Sequence, residues 1–557
     1  MTDLMYTAVP HSLDYPDAGF DAVLAGAARA YPDRIALRDG ELTLTFAELY
    51  DRALRFAQGL RDRGVHRGDL VALHMPNSIW FPVSYFGVLC AGAIACPVNP
   101  AQPAGALKEQ LEEFGVTAVV THPSCANALD DGPTSRIALV VLVPPTTASP
   151  APEGSSIRQA HVQLVNILNS ERLNELPVDP ATVAHLQLTG GTTGRSKGVR
   201  ILHRNLVANI VQNGYRRSGV RCHLDAHGGI QAEKVPQAQT KYSEGLGEGL
   251  FLLVSPYFHG AGLVGQCGQI LLGITAVIEG RFDAGRYLAD IEKYSATRLM
   301  GTPAFFHMLL DAPSVDSVDL SSIRTITCGA APVDETMLGR LTAAFPNAEL
   351  IQTYGLSEAT ATVTIQPPAE VAVSPVGSAG VPLSDTQIEL RDEYGVSLMP
   401  AGEAGEIWVR GPQVSDGYHN DPALTAEQIR DGWLRTGDLG RFDEQGNLFI
   451  VGRVKDMIIY KGYNVYPAHL EGVLSEHPEV SQSSVIGLAR TDVGELPVAF
   501  VVPREPKDAG DDLAERIMAY VANTVAPYQR IREVHFLDQL PITPTGKILK
   551  RDLRDML

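Results

Sequence analysis

Residues 186–199 read LQLTGGTTGRSKGV, an apolar strand that runs straight into small and hydroxyl residues and then into Arg195 and Lys197. Glycines let backbone approach a ligand closely, and successive N–H groups of such a turn form an anion nest. Hydroxyls of Thr189, Thr192 and Thr193 add donors, and Lys197 adds charge, so the stretch reads as a phosphate-holding loop. It is not a Walker A loop, which requires G-K-S/T opening a helix; here Ser196, Lys197 and Gly198 come in the opposite order. Taken alone, a glycine-rich turn does not decide a function.

Outward from this loop, residues 20–360 alternate between amphipathic helices and short β-branched runs, the signature of a layered α/β body with largely parallel sheets. FAELYDRALRFAQGLRDRG at 46–64 and the stretch 80–92 read as helices, with strands at 69–75, 118–121 and 138–143. Residues 144–156 form a Pro/Ser-rich surface loop. Around 377–412 the texture becomes short β runs separated by Gly and Pro, and from about 456 it returns to compact α+β. The expected division is a large N-terminal body over 1–453 with a β-rich appendage at about 365–453, a junction at 454–456, and a C-terminal domain over 457–557. The polar, glycine-rich stretch 218–249 shows no clear periodicity and exceeds an ordinary connection, which marks it as mobile or functional.

The chain has 557 residues, 45 Lys plus Arg against 64 Asp plus Glu, and a net charge of −19, which opposes non-specific attraction to nucleic acid or anionic lipid. Its two most apolar windows, 80–97 and 261–278, are broken by Gly, Pro or Gln and read as buried helix–strand units rather than membrane spans. The six cysteines form no CxxC pair, and no histidine stands where it would complete a zinc site. With no basic head and apolar stretch at the N-terminus, a reducing, cytoplasmic setting is expected.

The loop has companions in a fixed order: PYFHGAG at 256–262, CGAAP at 328–332, QTYGLSEAT at 352–360, WLRTGDLG at 433–440, GRVKDMIIYKGYNVYP at 452–467 and PITPTGKILKR at 541–551. Together these resemble the adenylate-forming superfamily, which comprises acyl-CoA synthetases, aryl-CoA ligases, luciferases and peptide-synthetase adenylation domains. The match spans nearly the whole chain and is most similar to acyl- or aryl-CoA ligases. The resemblance implies a two-step reaction: a carboxylate attacks the α-phosphate of ATP to give an acyl-adenylate and pyrophosphate, and a thiol or other nucleophile then takes the acyl group.

What the resemblance implies for particular residues follows from joining two anions, which needs positive charge and orientation. Thr189, Gly190, Gly191, Thr192, Thr193, Gly194 and Lys197 are expected to hold the β- and γ-phosphates. Glu358 suits Mg²⁺, a hard cation that keeps its waters and takes few carboxylates. Gly329, Ala330, Ala331, Gln352, Thr353, Tyr354 and Gly355 are expected around the adenine, Ser357 near the α-phosphate, and Asp438 and Arg453 at the ribose. Lys547 is the expected catalyst of adenylation, a point charge able to touch carboxylate and α-phosphate together. Lys455 matches the hinge position between two closed arrangements, and Lys461, Gly462 and Tyr463 would then face CoA. His259, Gly260, Ala261 and Gly262 are expected at the acyl pocket, with His259 as its gate.

Two departures stand out: Ser196 replaces a usual proline, and His469 replaces a frequent glutamate while Glu471 is retained. The stretch 258–273, FHGAGLVGQCGQILLG, carries no aspartate to pair a substrate ammonium, so non-amino acids are favoured. Fatty and aromatic acids both fit. The expected cofactors are ATP, Mg²⁺ and CoA; a carrier-protein thiol or an amine stands as the alternative acceptor, and a catalytically silent acyl- or nucleotide-binding protein as the rival class.

Overall fold

The computed structural model describes residues 10–129, 136–152, 161–174, 177–190, 196–329, 333, 335–392, 394–397, 402–490, 492–543 and 548–557. Two predominantly parallel sheets make the body. The first has seven strands in the order Val162–Gln163, Leu139–Leu142, Ala118–Thr121, Leu70–His74, Ile94–Val98, Val183–Gly190 and Ser196–Leu202, and only the last pair is antiparallel. The second has nine strands, with Glu349–Tyr354, Thr325–Cys328, Arg298–Gly301, Leu250–Leu253, Thr275–Ile278 and Ile35–Asp39 parallel at its centre.

Helices fill the space between these sheets. Phe46–Arg61 starts with a capping box, in which Glu48 N–H donates to Thr45 Oγ1 at 3.1 Å and Thr45 N–H to Glu48 Oε2 at 2.8 Å. Its apolar face, including Phe46, Leu49, Phe56 and Leu60, is buried. Trp80–Cys90 is apolar all round and buried at every residue, as a helix with no polar face must be. Each fully buried Phe or Leu of this core contributes about 1.5–3 kcal/mol. Among the described residues no helix is long and apolar enough to cross a membrane. All six cysteines are buried and none is in a disulfide.

A third, antiparallel sheet comprises Gln387–Arg391, Gly405–Arg410, Ile429–Arg430, Trp433–Phe442 and Leu448–Arg453. Its strands begin at Gln387, because Thr364–Ile365 and Val381–Pro382 extend the nine-stranded sheet instead. The fourth sheet gathers Ile458–Tyr460, Tyr463–Val465, Val480–Arg490, Gly494–Pro503 and Glu533–Phe536.

The stretch 218–249 is irregular over most of 235–249, but its first half is ordered as strands. Val220–Leu224 and Ile230–Lys234 form an antiparallel hairpin with Val220, Cys222 and Ile230 buried. Its turn is tied by Asp225, whose Oδ1 accepts the N–H groups of His227 and Gly229 at 2.8 Å each, while Arg29 Nε donates to Oδ2 at 2.7 Å.

Candidate active site

Ligands of open parallel sheets bind beyond the carboxyl ends of the strands. Here those ends supply Gly190, Gly301, Cys328 and Tyr354. The strand Val183–Gly190 turns back as Ser196–Leu202, with Thr189 opposite Lys197 and Gly190 opposite Ser196. Thr189 and Lys197 thus stand at the base of the turn. Gly191, Thr192, Thr193 and Gly194 lie outside the described residues.

Lys197 is placed by a residue that the motifs do not include. Its Nζ lies 5.7 Å from the ring centroid of Tyr418, within cation–π range. The Tyr418 hydroxyl in turn donates to Glu358 Oε1 at 2.9 Å. Residues 416–419 run as an extra edge against Ser196–Leu202: Asp416 N–H donates to Arg200 O at 3.0 Å, Arg200 N–H to Gly417 O at 2.8 Å and His419 N–H to Gly198 O at 2.8 Å. Burial, and next the Glu358 carboxylate, push the Tyr418 phenol above its ordinary value, so it remains a donor.

Glu358 sits in the single turn Ser357–Ala359 just past Tyr354. Gly355 is required there, since a Cβ would lie 1.6 Å from Ala361 O. The chain is reversed by Thr360, a buried non-glycine residue at φ +66° and ψ −53°, held by donation of Oγ1 to Gln413 O at 2.7 Å. Such backbone strain persists only where the surroundings enforce it. Among the described residues no group of three or more His, Cys, Asp or Glu side chains gathers as a metal cage. A lone carboxylate linked through Tyr418 to Lys197 fits Mg²⁺, which takes one or two carboxylates together with waters and ligand oxygens.

At the nucleotide end, buried Gln352 accepts Val333 N–H through Oε1 at 3.1 Å, and a Cβ on Gly329 would lie 3.1 Å from Thr353 Oγ1. Ala330 and Ala331 lie outside the described residues. Tyr354 donates its hydroxyl to Asp438 Oδ2 at 2.8 Å, and Arg453, directly opposite Asp438 across two strands, brings Nε to 3.2 Å from Oδ1. Burial, then Asp438, hold the Tyr354 phenol well above its ordinary value. A carboxylate has about four acceptor sites, so Asp438 keeps capacity for ribose hydroxyls.

On the acyl side, His259 caps the helix Gly260–Leu271, its side chain accepting Ala261 N–H at 3.4 Å. Asn77 fixes the preceding chain, donating to Ser255 O at 2.9 Å and accepting from Tyr257 N–H at 2.8 Å. Gln187, two residues before Thr189, donates to Phe258 O at 3.0 Å and thereby couples the phosphate strand to this segment. Ala261 is exposed, whereas Gly262 is turned inward, where a Cβ would lie 2.3 Å from Pro256 O; its smallness serves that close approach rather than a pocket wall. Further along the helix, a Cβ on Gly265 would lie 3.1 Å from Met300 Cε, a neighbour that no motif identified.

The strand Leu448–Arg453 passes through the turn Val454–Asp456, with exposed Lys455 at its centre, into Ile458–Tyr460. Arg554 Nη2 lies 3.2 Å from Asp456 Oδ1. Lys461 at φ +51° and Gly462 at φ +81° make the two-residue turn of the hairpin Ile458–Tyr460 and Tyr463–Val465, whose type I′ geometry needs positive φ at both positions. A Cβ on Gly462 would meet nothing within 4 Å, so backbone conformation is the local reason for glycine there. Exposed Tyr463 stacks on Tyr528 at 4.8 Å. Lys547 lies outside the described residues. Glu471 binds Lys550 Nζ at 2.8 Å and accepts Val485 N–H at 2.8 Å, which is a structural role.

The sequence profile of the AMP-binding enzyme family matches residues 24–419, and that of the AMP-binding enzyme C-terminal domain matches 469–547. The chain is 32% identical to 4-coumarate--CoA ligase-like 6 of Arabidopsis thaliana, over 99% of this chain and 93% of that one. ATP-bound MatB from Rhodopseudomonas palustris superposes with a TM-score of 0.80 at 27% identity, over 96% of this chain and 98% of that one. The amide bond synthetase McbA from Marinactinospora thermotolerans gives a TM-score of 0.79 at 26% identity, over 97% of this chain and 100% of that one. The fold, the ordered motifs and the two clusters Lys197–Tyr418–Glu358 and Tyr354–Asp438–Arg453 agree with these similarities: the chain belongs to the AMP-binding enzyme family, the adenylate-forming enzymes.

Proposed function

We propose that the protein is an AMP-forming acid–thiol ligase that activates an aromatic or fatty carboxylic acid with ATP and passes the acyl group to CoA. The observation that carries this reading is the pair of clusters Lys197–Tyr418–Glu358 and Tyr354–Asp438–Arg453, which the short stretch from Tyr354 to Glu358 joins along the chain.

In the first half-reaction a substrate carboxylate oxygen attacks the α-phosphorus, and the bond to the bridging β-oxygen breaks. Acyl-adenylate forms and pyrophosphate leaves. Lys197, Thr189 and the donors of 190–194 hold the departing phosphates, and Asp438 and Arg453 orient the ribose. Glu358 would hold Mg²⁺, which neutralises charge on the phosphate oxygens. Lys547, approaching from the C-terminal domain, bridges carboxylate and α-phosphate. In the second half-reaction a thiolate attacks the acyl carbon and AMP leaves. The turn at Val454–Asp456, centred on Lys455, is the hinge for the change of arrangement, and Lys461, Gly462 and Tyr463 then meet the pantetheine arm.

His259, Gly260 and Ala261 bound the acyl slot near the loop. The absence of an acidic residue over 258–273 supports an acid without an amino group. Six buried cysteines outside any disulfide support a reducing, cytoplasmic setting. The similarity to an amide bond synthetase favours one second reading, transfer of the same adenylate to an amine.

Mass spectrometry of reactions supplied with ATP, Mg²⁺, a panel of aromatic and fatty acids, and either CoA, a carrier protein or amines separates these acceptors. Acyl-CoA as the dominant product is expected. Amide alone would replace the proposed acceptor.

A further inference from the structure

Tyr418 belongs to no motif used above, yet it touches both charged groups assigned to the phosphates. Its ring lies beneath the Lys197 ammonium at 5.7 Å, and its hydroxyl donates to Glu358 Oε1 at 2.9 Å. Tyr418 itself is buried, while Lys197 and Glu358 are each half-buried, so the two charged groups face the site from a fixed aromatic base. Its main chain is fixed independently. Three backbone hydrogen bonds join 416–419 to Ser196–Leu202, and Tyr418 N–H donates to Thr425 Oγ1 at 2.9 Å. Arg200 and Asp416 add an ion pair at 2.8 Å along the same edge. The residue is thus anchored to the strand that carries Lys197 while its tip reaches Glu358, sixty positions away in sequence.

Oppositely charged Lys197 and Glu358 would, if mobile, close on each other and fill the space that a phosphate needs. A rigid aromatic side chain that engages both opposes this, because it attracts the ammonium through its ring at 5.7 Å and the carboxylate through its hydroxyl at 2.9 Å. Donation to Oε1 also leaves Oε2 free of this bond and restricts rotation of the carboxylate. We propose that Tyr418 is a positioning residue, which presets the separation of the Lys197 ammonium and the Glu358 carboxylate so that a magnesium–pyrophosphate group is met by a formed seat. This inference rests on the phosphate and metal roles given to Lys197 and Glu358 above.

The two contacts separate experimentally. Tyr418→Phe keeps the ring and removes the hydroxyl, and Tyr418→Leu removes both. Calorimetric titration of the full-length protein with pyrophosphate, with and without Mg²⁺, reads each contact as an equilibrium constant. Tyr418→Phe is expected to weaken binding about ten-fold with Mg²⁺ and less than about two-fold without it, since the lost bond involves a charged partner. Tyr418→Leu is expected to weaken metal-free binding as well, by about three-fold. The readout is the ratio of the two affinities within one variant, so a general loosening cancels. Raising Mg²⁺ should restore the adenylation rate of Tyr418→Phe, which a packing defect would not allow. Glu358→Gln serves as the reference. If it loses metal-dependent binding and Tyr418→Phe does not, the positioning role is overturned; if Glu358→Gln itself binds as wild type, the metal assignment falls first.

Discussion

The Tyr354 hydroxyl donates to Asp438 Oδ2 at 2.8 Å, which ties the last parallel strand of the large sheet to the small antiparallel sheet. Arg453 holds the other carboxylate oxygen at 3.2 Å, so Asp438 is oriented from two directions. Tyr354→Phe keeps a flat face but frees the carboxylate, and it is expected to raise the KM for ATP about ten-fold with a smaller change in kcat. Pyrophosphate release measured over a range of ATP concentrations checks this. An unchanged KM would remove Asp438 orientation from the account.

Lys547→Ala is expected to lower adenylation from acid and ATP by at least about a hundred-fold, while leaving thioester formation from a supplied acyl-adenylate within about three-fold of wild type. Single-turnover assays of the two half-reactions make the comparison. Equal loss of both steps would contradict the assigned role.

Lys455→Pro probes the turn between Leu448–Arg453 and Ile458–Tyr460. Proline fixes φ near −65° and so limits the change of backbone angles that a hinge requires. Thioester formation is expected to fall at least about ten-fold, with acid-dependent pyrophosphate release within about two-fold of wild type. Retention of the full thioester rate would argue against Lys455 as the pivot.

Glu279 gives a test of stability against pH. Burial, then neighbouring Asp290, push its carboxyl up to about 7, although Arg286 lies 3.6 Å away. A carboxyl whose pKa is raised on folding contributes its stability fully below its unfolded value and loses it as pH rises through the folded value. Glu279→Gln is therefore expected to stabilise the protein at pH 8, by about 1–3 kcal/mol, and to change little at pH 4. Denaturant unfolding at both pH values reads the difference.

Local patterns made much of this molecule legible before its structure. The window 80–97 resolves into the helix Trp80–Cys90 and the strand Ile94–Val98, because an all-apolar helix can only be buried. The strand Val183–Gly190 was legible for a similar reason, as an apolar run that ends where small residues begin. The hairpin Val220–Leu224 and Ile230–Lys234 was not. Its inward positions, Val220, Cys222 and Ile230, are few and sit among polar and glycine residues that mask the alternation. The Asp225 turn, with its two backbone bonds, was the local signal available. Tyr418 was hidden differently. Nothing within GPQVSDGYHNDP distinguishes it, and its significance arises only from contacts to Lys197 and Glu358, both remote in sequence. At Gly462 the type I′ turn by itself requires positive φ, a backbone demand independent of the acceptor expected beside it.

The claim on which everything else depends is reversible formation of an acyl-adenylate. Exchange of labelled pyrophosphate into ATP, measured with wild-type protein, Mg²⁺ and a carboxylic acid in the absence of CoA, tests it most directly. The account predicts exchange that depends on the acid, requires no thiol and is abolished in Lys547→Ala. Failure of every aromatic and fatty acid to support exchange, or release of ADP in place of AMP, would contradict it.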